Sequence, residues 1–245
     1  MTAIRRLVPV LAASLAVTQA AHATSPSASP ACPARSRPLL ILPLGDSLTS
    51  GVPVDGKPDG GYRTELYRLL KAGGCVFHFV GSEINGPDDL PEKNNEGHGG
   101  FRIDEIAAVT DAALQKFQPD MVLLGAGGND ELQGLRLKSA PQRLLSLVRR
   151  IAARSPHALV LVQTRPIRTD GLQPANEKFN ASVRRLIDRE HRRTPSIWLV
   201  DNARRVSKAD LLPDGRHPTP KGNEKLAQGW YEAIVRALRR QRPTA

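Results

Sequence analysis

Aromatic side chains are scarce: Phe, Tyr and Trp make up 4% of the 245 residues. That leaves no row of rings on which nucleobases could stack, and no sugar-stacking platform that the sequence marks. Cysteine is scarcer still, with two residues, so a Cys-built metal cluster is excluded and one internal disulfide is the most the chain can form. No set of His, Cys and Asp ligands is clustered either, so the expected chemistry needs no metal or cofactor. The apolar run Leu7 to Val17 is too short to cross a bilayer, and nothing later is apolar enough, so no stable membrane insertion is expected. Internal repeats are missing. So is any Gly-x-Ser-x-Gly, the strand-to-helix turn that marks the α/β-hydrolase fold, which argues against that fold.

Basic charge is plentiful, with 35 Lys and Arg against 24 Asp and Glu and a net charge of +11. The basic residues are spread over several expected helices, as Arg149-Arg150, Arg184-Arg185, Arg192-Arg193 and Arg239-Arg240, with no nucleic-acid motif among them. They read as solvated helix faces, and nucleic acid is not an expected partner. Arg5 and Arg6, the apolar run and Ala21-His22-Ala23 form, in that order, a secretory signal peptide over residues 1–23, cleaved after Ala23. The mature protein is then secreted or periplasmic. Residues 24–38, rich in Ser, Pro and Ala, read as a disordered leader, and residues 39–245 as one domain large enough to bury a sizeable core.

Within that domain strands and helices alternate. Strands are expected at Leu39 to Leu44, Val76 to Val80, Asp120 to Gly125, Ala158 to Gln163 and Ile197 to Val200. Helices are expected at Tyr62 to Lys71, Ile103 to Phe117, Leu135 to Ala153 (with a fresh start near Pro141), Asn176 to Arg192 and Thr219 to Arg239. The pattern predicts an α/β protein: a five-stranded parallel sheet in a three-layer α/β/α sandwich, with every strand's carboxyl end on one edge. Gly81 to Gly100, rich in Gly, Pro, Asn and acids, is left as a long connection of functional type. Cys32 precedes the first strand and Cys75 immediately precedes the second. Parallel neighbours would bring both sulfurs to the same sheet edge, so a Cys32–Cys75 disulfide is expected, as exported proteins allow.

The run Leu39 to Leu44 ends abruptly in Gly45-Asp46-Ser47, delivering a serine to the edge where open α/β sheets bind ligands. A serine nucleophile needs a base, normally a histidine oriented by an acid. His22 leaves with the signal peptide, His78 lies inside a strand, and His157 and His191 lie at helix ends away from that edge. His98 and His217 remain. His217 follows Asp214 by three residues on the loop before the last helix, within reach of a turn. An oxyanion hole is also needed. Asn129, after Gly127-Gly128, offers a side-chain amide, and Gly97-His98-Gly99-Gly100-Phe101 offers a backbone N–H ahead of a helix.

Gly45-Asp46-Ser47-Leu48, the glycine block ending in Gly100, Gly127-x-Asn129-Asp130 and Asp214-x-x-His217 resemble, in this order, the four blocks of the SGNH (GDSL) hydrolases. The resemblance covers Leu39 to about Gln228. It implies a flavodoxin-like fold, Ser47 as nucleophile, His217 as base and Asp214 as orienting acid. It also implies an oxyanion hole made by the Ser47 and Gly100 backbone N–H groups and the Asn129 side chain, with Gly99 the competing choice to Gly100. Phrases such as Gly61-Tyr62-Arg63, Phe79-Val80-Gly81-Ser82 and Glu96-Gly97-His98-Gly99-Gly100-Phe101-Arg102-Ile103 are most similar to carbohydrate esterase family three, the acetylxylan-esterase type. Gly127-Gly128 and Phe101 depart from that pattern, where a bulkier residue and tryptophan are common.

The function expected is a secreted serine esterase removing short-chain, acetyl-type acyl groups from a carbohydrate or small-molecule ester. A lipolytic hydrolase on the same fold, a lysophospholipase or thioesterase, is the alternative. An apolar groove beside Ser47 would favour that reading, and a short polar pocket would favour acetyl. A non-catalytic glycan-binding module is a third reading, and acyl transfer to a sugar hydroxyl shares the same residues. Oligomeric state is not legible.

Overall fold

In the computed structural model, which describes residues 31–241, the first strand, β1 (Leu39–Gly45), is buried along almost its whole length. It pairs in parallel with β5 (Met121–Gly125) from Ile41 opposite Met121 to Gly45 opposite Gly125. β6 (Leu159–Gln163) and β7 (Ile197–Val200) extend the sheet on that side, also in parallel. β2 (Phe77–Phe79) takes the amino-terminal half of β1's other edge, with Leu39 opposite Phe77. Continuous Val, Leu and Ile runs suit strands covered on both faces.

Side chains that alternate along these strands feed two cores. Leu39, Ile41, Met121, Leu123, Leu159 and Leu161 lie on one face, under α2 (Tyr62–Ala72) and α7 (Pro220–Arg240), where the rings of Tyr62 and Trp230 meet at 5.5 Å. Leu42, Leu44, Val122, Leu124, Val160 and Val162 lie on the other, under α3 (Ile103–Phe117), α5 (Ala140–Arg154) and α6 (Gln173–Arg193). The three-layer α/β arrangement expected from the alternation is the observed one. Pro141 stands in the first turn of α5, where its missing N–H costs nothing.

The sheet is larger than the five expected parallel strands. β4 (Asn94–Gly97) continues β1's edge beyond β2 in parallel, pairing Leu44 with Glu96 and Gly45 with Gly97. The two-residue β3 (Glu83–Ile84) lies antiparallel to it, giving a seven-stranded sheet. Both strands fall in the stretch read as a connection. β4 carries no apolar alternation because polar bonds hold it: the buried Glu96 carboxylate accepts from the Ser82 N–H at 2.9 Å and from its hydroxyl, and Asn95 Oδ1 accepts from the Gly97 N–H at 2.9 Å.

Arg63, on α2, clamps this region from beneath. It is fully buried. Its guanidinium donates to the carbonyl oxygens of Thr49 (2.8 Å), Ser50 (3.0 Å), Lys93 (3.0 Å) and Asn85 (2.9 Å). Burial pulls the guanidinium down to about 10, so it still carries its charge at neutral pH.

Of the residues read as a disordered leader, 31–38 are described; they form no helix or strand. Cys32, buried beside the core, is bonded to Cys75, the Ala31 N–H donates to the Gly73 carbonyl at 2.9 Å, and Arg37 forks onto the Asp120 carboxylate at 2.7 and 2.5 Å. The expected signal peptide, 1–23, lies outside the described residues. Among the described residues no helix is long and apolar enough to cross a membrane.

Two outcomes follow from this packing. Replacing Cys32 and Cys75 together by serine should lower stability by about 2–4 kcal/mol, since the bond closes a loop with a sequence separation of 43; urea unfolding of oxidised, reduced and variant protein measures it. Arg63→Ala should cost about 3 kcal/mol or more by leaving buried carbonyls without donors. Arg63→Lys should recover little of that in the same assay, because one ammonium cannot reach four dispersed acceptors.

Candidate active site

Ser47 lies one residue beyond β1, after Asp46, and opens the one-turn helix α1 (Ser47–Ser50). Asp46 caps this turn: its Oδ1 accepts the Leu48 N–H at 3.0 Å, while its backbone carbonyl accepts from Thr49 and Ser50. The turn can sit on the sheet because three adjacent strands end in glycine at the same level, Gly97, Gly45 and Gly125. A Cβ on Gly45 would stand 2.3 Å from the Gly125 carbonyl oxygen, and one on Gly97 would stand 2.4 Å from the Ser50 nitrogen.

His217 reaches Ser47 from the loop before α7, with Nε2 2.8 Å from Oγ. Its Nδ1 lies 2.5 Å from Asp214 Oδ2. The other carboxylate oxygen accepts the backbone N–H groups of Arg216 and His217, both at 3.0 Å. Gly215 makes the intervening turn with φ +70°, a conformation open to glycine, and the loop is closed by the Leu212 N–H donating to the His217 carbonyl at 2.8 Å. Partial burial pushes the Asp214 carboxyl up, but the backbone N–H and imidazole of His217 and the N–H of Arg216 outweigh it and hold the group below its ordinary 3.8. A carboxylate in this setting fixes the imidazole's orientation and tautomer.

Ser47, Gly100, Asn129 and His217 line one cavity of about 180 Å³. Asn129, in the short helix α4 (Gly128–Leu132), donates its side-chain amide to the Phe101 carbonyl at 2.9 Å, which fixes its orientation. Among the described residues the backbone N–H groups of Ser47 and Gly100 have no protein acceptor. Gly99, the competing choice, lines a separate depression of about 550 Å³ beside His98. His98 itself is held by Glu96 at 2.8 Å and stacks on Phe101 at 4.7 Å, away from Ser47.

Arg165 is a site residue that the sequence did not single out. Its Nη1 donates to Asp46 Oδ2 at 2.6 Å, a buried pair 119 positions apart. Asn180 fixes its backbone from both sides, accepting from the Arg165 N–H at 2.8 Å and donating to its carbonyl at 2.9 Å. A Cβ on Gly128 would stand 1.8 Å from Arg165 Nη2, and one on Gly127 would stand 2.5 Å from the Phe179 ring. The Gly127-Gly128 departure is therefore the sequence trace of these neighbours. Arg165, Arg168 and Arg216 all line the Ser47 cavity, and among the described residues no carboxylate does.

The GDSL-like lipase/acylhydrolase family matches residues 44–225. A multidomain esterase from Ruminococcus flavefaciens is 26% identical over 224 residues, 80% of this chain, and the chain spans 28% of that relative's length. The structure of a family 3 carbohydrate esterase from Clostridium thermocellum is similar with a TM-score of 0.74 and 31% identity, over 83% of this chain and 98% of that one. A carbohydrate esterase family 3 structure from Talaromyces cellulolyticus, 21% identical with a TM-score of 0.72 over 83% and 100%, shares the fold. Four ordered sequence blocks converge on one sheet edge of an SGNH-type fold, and the family match spans them all: the chain belongs to the GDSL-like lipase/acylhydrolase family, in the class of carboxylic ester hydrolases.

Proposed function

We propose that the chain is an exported esterase that removes acetyl groups from carbohydrate, with Ser47 as nucleophile, His217 as base and Asp214 as orienting acid. The observation that carries this reading is the small size of the cavity at Ser47, about 180 Å³, in which Ser47, Asn129, His217 and three arginines stand beside Leu132 and Pro166. An apolar groove of about 500 Å³, lined by Leu137, Leu172 and Phe179, runs between α5 and α6 and includes none of Ser47, Asn129 or His217. A long acyl chain would need such a groove beside the serine; an acetyl group does not. The similarity to a family 3 carbohydrate esterase supports carbohydrate as the alcohol. The sequence of residues 1–23 and the Cys32–Cys75 bond support export.

Ser47 Oγ attacks the ester carbonyl carbon as its proton passes to His217 Nε2. The oxygen charge that develops is met by the backbone N–H groups of Ser47 and Gly100 and by the Asn129 amide. Collapse breaks the bond to the alcohol, which leaves with the proton from His217. Water, deprotonated by the same imidazole, then adds to the acyl-enzyme and releases the acid and Ser47. Water in the second half makes the outcome hydrolysis; a sugar hydroxyl there would make it transfer.

Ser47→Ala and His217→Ala should each abolish hydrolysis of a short aryl ester in protein whose circular dichroism is unchanged. Asn129→Ala should lower kcat by roughly 10²–10³, the effect of one lost oxyanion donor. A series of esters from acetyl to octanoyl, run beside acetylated xylan with released acid measured, tests the substrate: activity should fall beyond butyryl, and preference for longer chains would transfer the assignment to a lipolytic enzyme. Asp214→Asn should damage turnover less completely. Because its neighbours hold the Asp214 carboxyl below its ordinary value, the loss of activity that its protonation causes should set in at lower pH than for an unperturbed aspartate and be missing from Asp214→Asn, which kcat/KM profiles of the two proteins check.

A further inference from the structure

Three guanidinium groups line the Ser47 cavity, and they are not equivalent. Arg168 is nearly filled: four of its five N–H groups donate, two to Asp170 at 3.0 and 2.5 Å, one to the Gly128 carbonyl at 3.1 Å and one to Glu131 at 3.1 Å. Arg165 is braced but not saturated. One nitrogen is fixed on Asp46, Nε is buried with no partner, and Nη2 stands against Gly128 with no acceptor among the described residues. The side chain is 10% exposed, so that donor cannot turn freely to bulk water. Arg216 lies at the rim, 38% exposed, with Nε 3.7 Å from Asp214, beyond hydrogen-bond distance. Among the described residues no acid lines the cavity. The neighbouring depression has the opposite character, with Asp59 and Glu83 and no Lys or Arg.

A buried, pre-oriented guanidinium with unpartnered N–H groups matches an oxygen anion in geometry and charge. Phosphate, with more charge and more acceptor oxygens, calls for more donors than one nitrogen edge and a rim cation provide. A carboxylate needs only these two. We propose that the Ser47 cavity is a carboxylate-binding site in which Arg165, braced by Asp46 and admitted by Gly128, is the fixed donor and Arg216 the rim cation. The carboxylate is either that of the released acid or one carried by the alcohol, as in a uronate-bearing glycan. The site deepens the proposed esterase reading and rests on Ser47 being its reactive centre.

Binding is measured first without turnover. Ser47→Ala protein is titrated calorimetrically with acetate and glucuronate, and with acetamide and glucose as neutral counterparts. At least one anion should bind more tightly than its counterpart, less so as salt rises. In that background Arg165→Lys, which keeps a charge for Asp46 but removes the second nitrogen, should weaken anion binding about tenfold. Gly128→Ala, which thrusts a methyl group at Nη2, should weaken it comparably. Arg216→Gln, at the exposed rim, keeps the test open should either buried variant fail to fold.

Turnover then separates the sources. If the carboxylate belongs to the alcohol, wild type should prefer acetylated methyl glucuronide over acetylated methyl glucoside by about tenfold in kcat/KM, and Arg216→Gln should erase the preference. If it belongs to the released acid, the two esters should react alike while acetate inhibits competitively and Arg165→Lys relieves that inhibition. Anions binding no better than their neutral counterparts, or binding unchanged by Arg216→Gln and Gly128→Ala, would overturn the site. Carboxylate binding in a protein that hydrolyses none of these esters would instead sink the esterase reading and leave the site standing.

Discussion

Everything at the functional edge depends on how closely three strand ends approach one another. Gly97, Gly45 and Gly125 lie side by side across β4, β1 and β5, and the turn that carries Ser47 rests on them. Thr49 Oγ1 would stand 2.5 Å from a Cβ on Gly45, so no side chain fits there without lifting the turn from the sheet. Interiors are packed too densely to absorb such a shift locally. Lifting the turn would carry Ser47 away from His217, which arrives on an independent loop 170 positions later and meets it at 2.8 Å. The sheet edge is thus a fixed bench, and the hydrogen bond between Ser47 and His217 exists because both elements are set on it.

A second constraint acts from below. Asp46 is completely buried, and a buried carboxylate without partners is strongly disfavoured. It has two: the Leu48 N–H, which shapes the serine turn, and Arg165, which comes from the loop after β6. Arg165 in turn requires Gly128, and Gly128 opens the helix that bears Asn129. The serine turn, the arginine and the asparagine helix are therefore one mechanical unit. A change to any of them is transmitted to the other two through contacts of hydrogen-bond or van der Waals length.

The legible and illegible parts of this fold divide along physical lines. β1, β5, β6 and β7 are continuous apolar runs, and the residues beyond them are glycine and polar, so both the sheet and the edge at which Ser47, Asn129 and His217 meet could be read from the sequence. Asp214 and His217 are three residues apart on one turn, and their contact is local. Arg165 and Asp46 are 119 residues apart, and no periodicity or spacing carries that pairing. β4 was hidden for a different reason: Asn94-Asn95-Glu96-Gly97 is stabilised by buried polar bonds, while strand signals in sequence are apolar alternation. Arg63 stood within a phrase that marked the family, but its role as donor to four carbonyls of distant segments has no one-dimensional signature. The strongly basic composition was read as solvated helix faces, and part of it is more specific than that. Arg149 meets Glu190, Arg150 meets Asp111 and Arg184 meets Asp201, each tying a helix to a neighbouring element. Pairs this exposed contribute little stability individually.

Two aspartates flank Ser47, and their surroundings give them different work. Asp46 precedes the serine, is fully buried and faces a guanidinium, so it has no freedom to follow a moving proton. Asp214 has a side chain 36% exposed and accepts three N–H groups from its own turn, all from residues 216 and 217. Its carboxylate is stabilised by the same segment that carries the imidazole, so carboxylate and ring move together as the loop moves. Asp46 belongs to the sheet and holds Ser47 still; Asp214 belongs to the loop and holds the imidazole. A hydroxyl and a ring from two independent parts of the chain can stay in register only if each is anchored to its own rigid body, and the two carboxylates are those anchors.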